Sequence, residues 1–185
     1  TMSAGGTLAG SGVAKATDKI KRLGGLAYCG NDTYVVTFEG EVASYARYCV
    51  ATVSSGNVTW GTDTAYISAA TAGLVDETPQ MCVAYDSSAS KVVVTQRPIA
   101  SPYNRTYSTG DVSGTSITFA SMTALSPATG FTDFPFLIYD PSLLKTLFMY
   151  EDSGDDMFLR LWEVAGTFTN LTATNLLGIA AGAIT

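Results

Sequence analysis

Histidine is missing from all 185 residues. Its absence removes the commonest general base at neutral pH, the imidazole of the usual Ser and Cys triads, and imidazole metal ligation. Charge is scarce as well. Only 14% of residues are charged, and 10 Lys plus Arg face 16 Asp plus Glu for a net charge of -6. A chain of that sign is repelled by phosphate backbones, so nucleic acid is not expected as a partner. The three cysteines, Cys29, Cys49 and Cys82, are odd in number and form no C-x-x-C pair. They read as buried strand thiols, although a pair between Cys29 and Cys82 stays conceivable. Long apolar runs are lacking too: residues 1–17 have no basic start or apolar core of a secretory signal, and Leu176 to Ile184 is too short to span a bilayer. No membrane insertion is expected. Thr1 preceding Met2, with an ending in G-I-A-A-G-A-I-T, gives the expectation of a piece of a longer protein.

What the chain does have is apolar residues, 46% of the total, with Gly, Ser and Thr filling much of the rest. This composition fits many short strands joined by tight turns and argues against disorder. The stretch Met81 to Leu125 sets the pattern. M-C-V-A-Y-D, a polar turn S-S-A-S-K, V-V-V-T-Q, a loop, S-T-G-D-V-S-G-T and S-I-T-F-A-S-M-T-A-L read as four half-buried strands. Two landmarks recur. Tyr85 is matched by Tyr28 and Tyr139, at offsets of 57 and 54 residues. Gly114 is matched by Gly56 and Gly166, and the tyrosine-to-glycine gaps are 28, 29 and 27 residues. Two landmarks in three copies at nearly fixed spacing mark an internal repeat.

The predicted division is an arm or linker over 1–22, repeat 1 over 23–68, a linker and repeat 2 over 69–126, repeat 3 over 127–176, and the start of a following segment over 177–185. Within the arm, Val13 to Leu23 collects much of the positive charge and reads as a short amphipathic helix or an exposed strand. Repeat 1 has predicted strands over 25–29, 34–39, 44–53 and 57–66, and repeat 3 over 136–139, 146–151, 157–164 and 167–176. The expected fold class is all-β, with three four-stranded antiparallel repeats resembling β-propeller blades; a β-sandwich is the alternative. One small sheet cannot bury both faces by itself, so each unit needs a neighbour.

The pattern A-Y-D-(turn)-K-V-V-V, followed by V-S-G-T-S-I-T-F, resembles the tandem repeats of large phage tail-fibre and virion surface proteins of the marine and cyanobacterial phage type. The likeness runs over Leu23 to Thr185, and N-L-L-G-I-A-A-G-A-I-T resembles the segment after the last repeat of such fibres. It is close in repeat 2. Repeat 1 has Cys29 where the Asp would stand, and repeat 3 has T-L-F-M for V-V-V. The resemblance implies a virion structural protein, a tail-fibre or surface-decoration component contributing to host attachment. Its partners would be other virion subunits in a homo- or hetero-oligomer, and a host surface glycan.

Catalysis is not expected, and no cofactor motif is present. Sialidases share the propeller fold but carry S-x-D-x-G-x-x-W boxes; here the turns read V-S-S-G-N-V-T-W, V-S-G-T-S-I-T-F and V-A-G-T-F-T-N-L, without the Asp. A carbohydrate-binding module or sialidase-like propeller without clear catalytic residues is the alternative function. Tyr103, Asn104, Arg105 and Tyr107, in P-I-A-S-P-Y-N-R-T-Y, combine aromatic faces with polar donors that suit sugar rings, and equally suit a subunit interface. Asp152, Asp155 and Asp156, in E-D-S-G-D-D, are weak Ca²⁺ candidates, because their spacing matches no dedicated calcium loop and fits a solvated turn. Trp60 and Trp162 read as core aromatics. Four N-x-T triplets, at Asn31, Asn57, Asn104 and Asn170, arise easily in a Thr-rich chain.

Overall fold

The computed structural model describes residues 20–40, 46–65, 81–96, 105–124, 136–151, 157–162 and 168–170. Every regular element among them is a β-strand. The first sheet comprises β1 (Ile20–Tyr28), β2 (Thr33–Gly40), β3 (Ala46–Ser54), β4 (Asn57–Trp60) and the short β5 (Thr64–Ala65). The second comprises β6 (Met81–Asp86), β7 (Lys91–Gln96), β8 (Thr106–Ser113), β9 (Ser116–Phe119) and β10 (Thr123–Ala124). The third comprises β11 (Phe136–Asp140), β12 (Lys145–Glu151), β13 (Met157–Trp162) and β14 (Phe168–Asn170). All pairings are antiparallel between strands of one repeat. The described residues are therefore all-β, in three antiparallel sheets, and the first strand begins at Ile20, inside the stretch read as an arm over 1–22. Of the stretch Val13 to Leu23, residues 20–23 belong to β1 and the rest lies outside the described residues.

In the second and third sheets the first hairpin gives a role to the Asp that follows the landmark tyrosine. Asp86 pairs with Lys91 and Asp140 with Lys145, each closing a four-residue turn. In the second sheet Asp86 Oδ1 accepts the Ser88 and Ala89 N–H groups, both at 3.0 Å, and the Ser88 hydroxyl. In the third, Asp140 Oδ1 accepts the Ser142 N–H at 2.8 Å, the Ser142 hydroxyl at 2.6 Å and the Leu143 N–H at 3.2 Å. Both turns end in a left-handed residue, Ser90 at φ 54° and Leu144 at φ 52°. The shared code is Y-D-x-S-x-x-K. Its carboxylate satisfies turn donors that would otherwise face water or nothing. Repeat 1, with Cys29 in place of the Asp, closes differently: Gly30, Asn31 and Asp32 all take positive φ.

Gly56 and Gly114 also mark one hairpin, between the third and fourth strands, yet not one position; Gly166 lies outside the described residues. Ser54 pairs with Asn57 around Ser55-Gly56, where both φ angles are positive. Ser113 pairs with Ser116 around Gly114-Thr115, where only Gly114 is positive. These are the sign patterns of I′ and II′ turns, which need their glycine at different places.

The fourth strands, read as single runs over 57–66 and 116–125, are each interrupted. Gly61 N–H donates to Val50 O at 2.7 Å, and Ala120 N–H donates to Thr109 O at 2.8 Å. At each break a side chain from the third strand bonds the bulged carbonyl, Cys49 Sγ on Gly61 O at 3.2 Å and Ser108 Oγ on Ala120 O at 2.6 Å. Gly61 has a second reason to lack a side chain. A Cβ there would lie 2.7 Å from Thr115 O, at the β8–β9 turn of the second sheet.

The sheets stack through their first two strands: β6 lies against β1 and β2 on one side and against β11 and β12 on the other. One apolar cluster joins Ala27, Val35, Tyr48 and Val50 to Val83, Val92, Val94 and Ile117. A second joins Cys82, Val93 and Tyr107 to Phe148 and Tyr150. The second sheet is thus covered on both faces, which accounts for the nearly continuous apolar run in β7.

Candidate functional site

The alternation of a strand assigns every first-strand residue to one of two faces. Hairpin registry makes Gly25, Ala27 and Cys29 equivalent to Cys82, Ala84 and Asp86, and to Phe136, Ile138 and Asp140. These positions face the sheet that follows. Ala27 joins the cluster shared with the second sheet, Cys29 packs on it, and Cys82 joins the cluster shared with the third. The intervening positions face the sheet that precedes: Val83 and Tyr85 pack toward the first sheet and Leu137 toward the second. The three sheets therefore stack with one polarity.

Each internal contact has its own polar tie. Between the first and second sheets the Tyr48 phenol donates to Ile117 O at 2.7 Å, and its ring meets Phe119 edge-on at 5.2 Å. Between the second and third, the buried Thr146 hydroxyl donates to Asp86 Oδ2 at 3.1 Å, and Ser88 Oγ lies 3.3 Å from Leu144 O. Asp86 thus serves two sheets, one oxygen for its own turn and the other for its neighbour. The equivalent pair at the first contact, Cys29 against Val92, is apolar. The third sheet also presents Phe148 stacked on Tyr150 at 5.1 Å, with the Arg160 guanidinium 5.4 Å from the Tyr150 ring.

At the ends of the stack the same positions meet solvent. Leu26 is 64% exposed where its equivalent Val83 is 6% exposed, and Tyr28 is 55% exposed. At the other end Phe136 and Ile138 are 61% and 62% exposed, whereas their equivalents Cys82 and Ala84 are 7% and 5% exposed. Asp140 repeats the turn role of Asp86, and its second oxygen corresponds to Asp86 Oδ2, the one that accepts the Thr146 hydroxyl. Its carboxyl is held below the usual carboxylate range, first by the Ser142 hydroxyl and then by the Ser142 N–H. These two end faces carry large apolar side chains exposed to solvent.

The residues singled out from the sequence fare differently. Arg105 and Tyr107 are buried, Tyr107 within the cluster between the second and third sheets. Reading them as surface contacts is therefore corrected: an aromatic and a cation in a polar loop suit an inter-sheet interior as well as a sugar. Tyr103 and Asn104 lie outside the described residues, as do Asp152, Asp155 and Asp156. The three cysteines are free thiols. Cys29 and Cys82 cannot pair because they line opposite sides of the second sheet. Cys82 lies 2.8 Å from Thr95 Oγ1. Burial pushes the thiols of Cys29 and Cys82 up to about 11, with nearby Arg105 partly offsetting the rise at Cys82. Neither is an activated nucleophile. Among the described residues no cluster of three acidic or thiol side chains is placed to hold a metal ion.

Comparison with protein-family models, curated proteins and solved structures returns no match. A functional reading of this chain therefore rests on its geometry and its repeat pattern.

Proposed function

We propose that this chain is a structural repeat array of a phage virion, a tail-fibre or surface-decoration component contributing to host attachment, with each sheet a β-propeller-like blade. One observation carries the architectural part: equivalent residues of three repeats occupy equivalent faces of three sheets stacked with one polarity. Contact between first strands of successive sheets is what blades around a common axis require. Among the described residues, several side chains with chemical potential serve the stack. Asp86 ties a turn and a neighbour, Arg105 and Tyr107 are interior, and the thiols of Cys29 and Cys82 are protonated at neutral pH. That supports a scaffold and not an enzyme. The virion setting rests on the likeness of A-Y-D-(turn)-K-V-V-V to tail-fibre repeats. The carbohydrate-binding alternative loses two of its four proposed contacts, Arg105 and Tyr107, to the interior.

Mass spectrometry and antibody labelling of purified particles test this reading. The chain is expected at fixed stoichiometry on the tail or surface, and antibody against it should slow adsorption to host cells. Particles lacking it overturn the assignment, and labelled particles that adsorb at the normal rate remove the attachment role.

A further inference from the structure

The two ends of the stack are different surfaces, and each is the counterpart of the other. The trailing end presents Phe136, Ile138 and Asp140, which correspond to the positions through which the second sheet receives the third. The leading end presents Leu26 and Tyr28, which correspond to the positions through which the second sheet meets the first. Each internal contact is one trailing face on one leading face.

The polar positions match as well. Registry places Tyr34 where Thr146 stands in the third sheet, and its ring is 5.1 Å from that of Tyr28. The leading face thus brings phenol donors to the register position at which the trailing face has the Asp140 acceptor.

From this continuity we propose that two copies of this chain join head to tail, each trailing face (Phe136, Ile138, Asp140) receiving the other's leading face (Leu26, Tyr28, Tyr34). The proposal rests on reading the sheets as blades. A contact between unlike faces must repeat until it closes or grow without limit. For the 185-residue chain taken by itself, two copies of the three described modules make six, within the typical four to eight of closed propellers, whereas three copies would make nine. A second copy of that chain is the occupant proposed for both open faces.

Sedimentation velocity of the full chain from about 1 to 100 µM tests it, a range suited to contacts of ordinary strength. The expected species is twice the 19.3 kDa chain mass. Leu26→Lys and Ile138→Lys each place a lone charge in both contacts of the ring. Each should weaken association at least about a hundredfold. Both residues are exposed in the single chain, so folding should persist, as circular dichroism would show. An equimolar mixture retains one unmodified contact and should recover two-chain species. A wild-type monomer throughout, a mass other than two chains, or disruption by only one lysine would overturn the proposal. So would a mixture that stays monomeric, since like faces would then be pairing. None of these results bears on whether particles contain the chain, so the virion reading stands or falls separately.

Discussion

Replacing Asp86 by alanine removes more than a turn. Its Oδ1 accepts two backbone N–H groups and a hydroxyl at the β6–β7 hairpin, and its Oδ2 accepts the buried Thr146 hydroxyl of the next sheet. Losing a capping carboxylate of this kind costs about 1 kcal/mol. Stranding a buried hydroxyl adds roughly 1–3 kcal/mol. The sum is about 3 kcal/mol, enough to lower the melting temperature of a chain this size by roughly 6–12 °C. Urea unfolding of Asp86→Ala, Thr146→Val and the double variant measures it. The double variant should be less destabilised than the two singles added together, by about 1–2 kcal/mol, because each single strands the other's partner. Asp140→Ala is the control: with all variants made in a Leu26→Lys, Ile138→Lys background that keeps the end faces in solvent, it deletes the same turn bonds with no neighbouring sheet behind them, and it should cost distinctly less. Equal losses for Asp86→Ala and Asp140→Ala, or strict additivity of Asp86 and Thr146, would refute the claim that this carboxylate binds two sheets together.

The same contacts set further outcomes. Tyr48→Phe keeps the ring on Phe119 but strands Ile117 O, and should cost about 1 kcal/mol in urea unfolding. Iodoacetamide at pH 8 should leave Cys29 and Cys82 largely unmodified in the native protein and alkylate both on unfolding, as peptide mass spectrometry would read; rapid native labelling of either contradicts its raised pKa. Asp140 binds its proton less readily folded than unfolded, so its turn contributes stability above the ordinary Asp pKa of about 3.9, lost as pH falls below that toward the lower folded value. Asp140→Asn should flatten that part of the stability–pH curve, and an unchanged acid slope would show that the group is not held as described.

Much of the architecture was legible in the sequence because it is written twice over, in period-two alternation and in the Tyr and Gly landmarks. Hairpin closure by Asp86 and Asp140 could have been read from Y-D-x-S-x-x-K, which two repeats share and the first replaces with Cys29. The breaks in the fourth strands were not legible. They arise from bulges at Gly61 and Ala120 held by Cys49 and Ser108, and no periodicity signals which carbonyl a third-strand side chain will bond. Arg105 and Tyr107 were misplaced for a related reason. Local pattern tells which residues share a face but not which faces a neighbouring sheet will cover. The same face parity, traced through the repeats, separates Cys29 from Cys82 and excludes their pairing.

Native-state hydrogen exchange of the chain carrying Leu26→Lys and Ile138→Lys, so that both end faces stay in solvent, addresses the stacking most directly. The account predicts that the amides of Val92, Val93 and Val94, in the sheet covered on both sides, exchange more slowly than their counterparts in β2 and β12. Equal or greater protection in either outer sheet would contradict it.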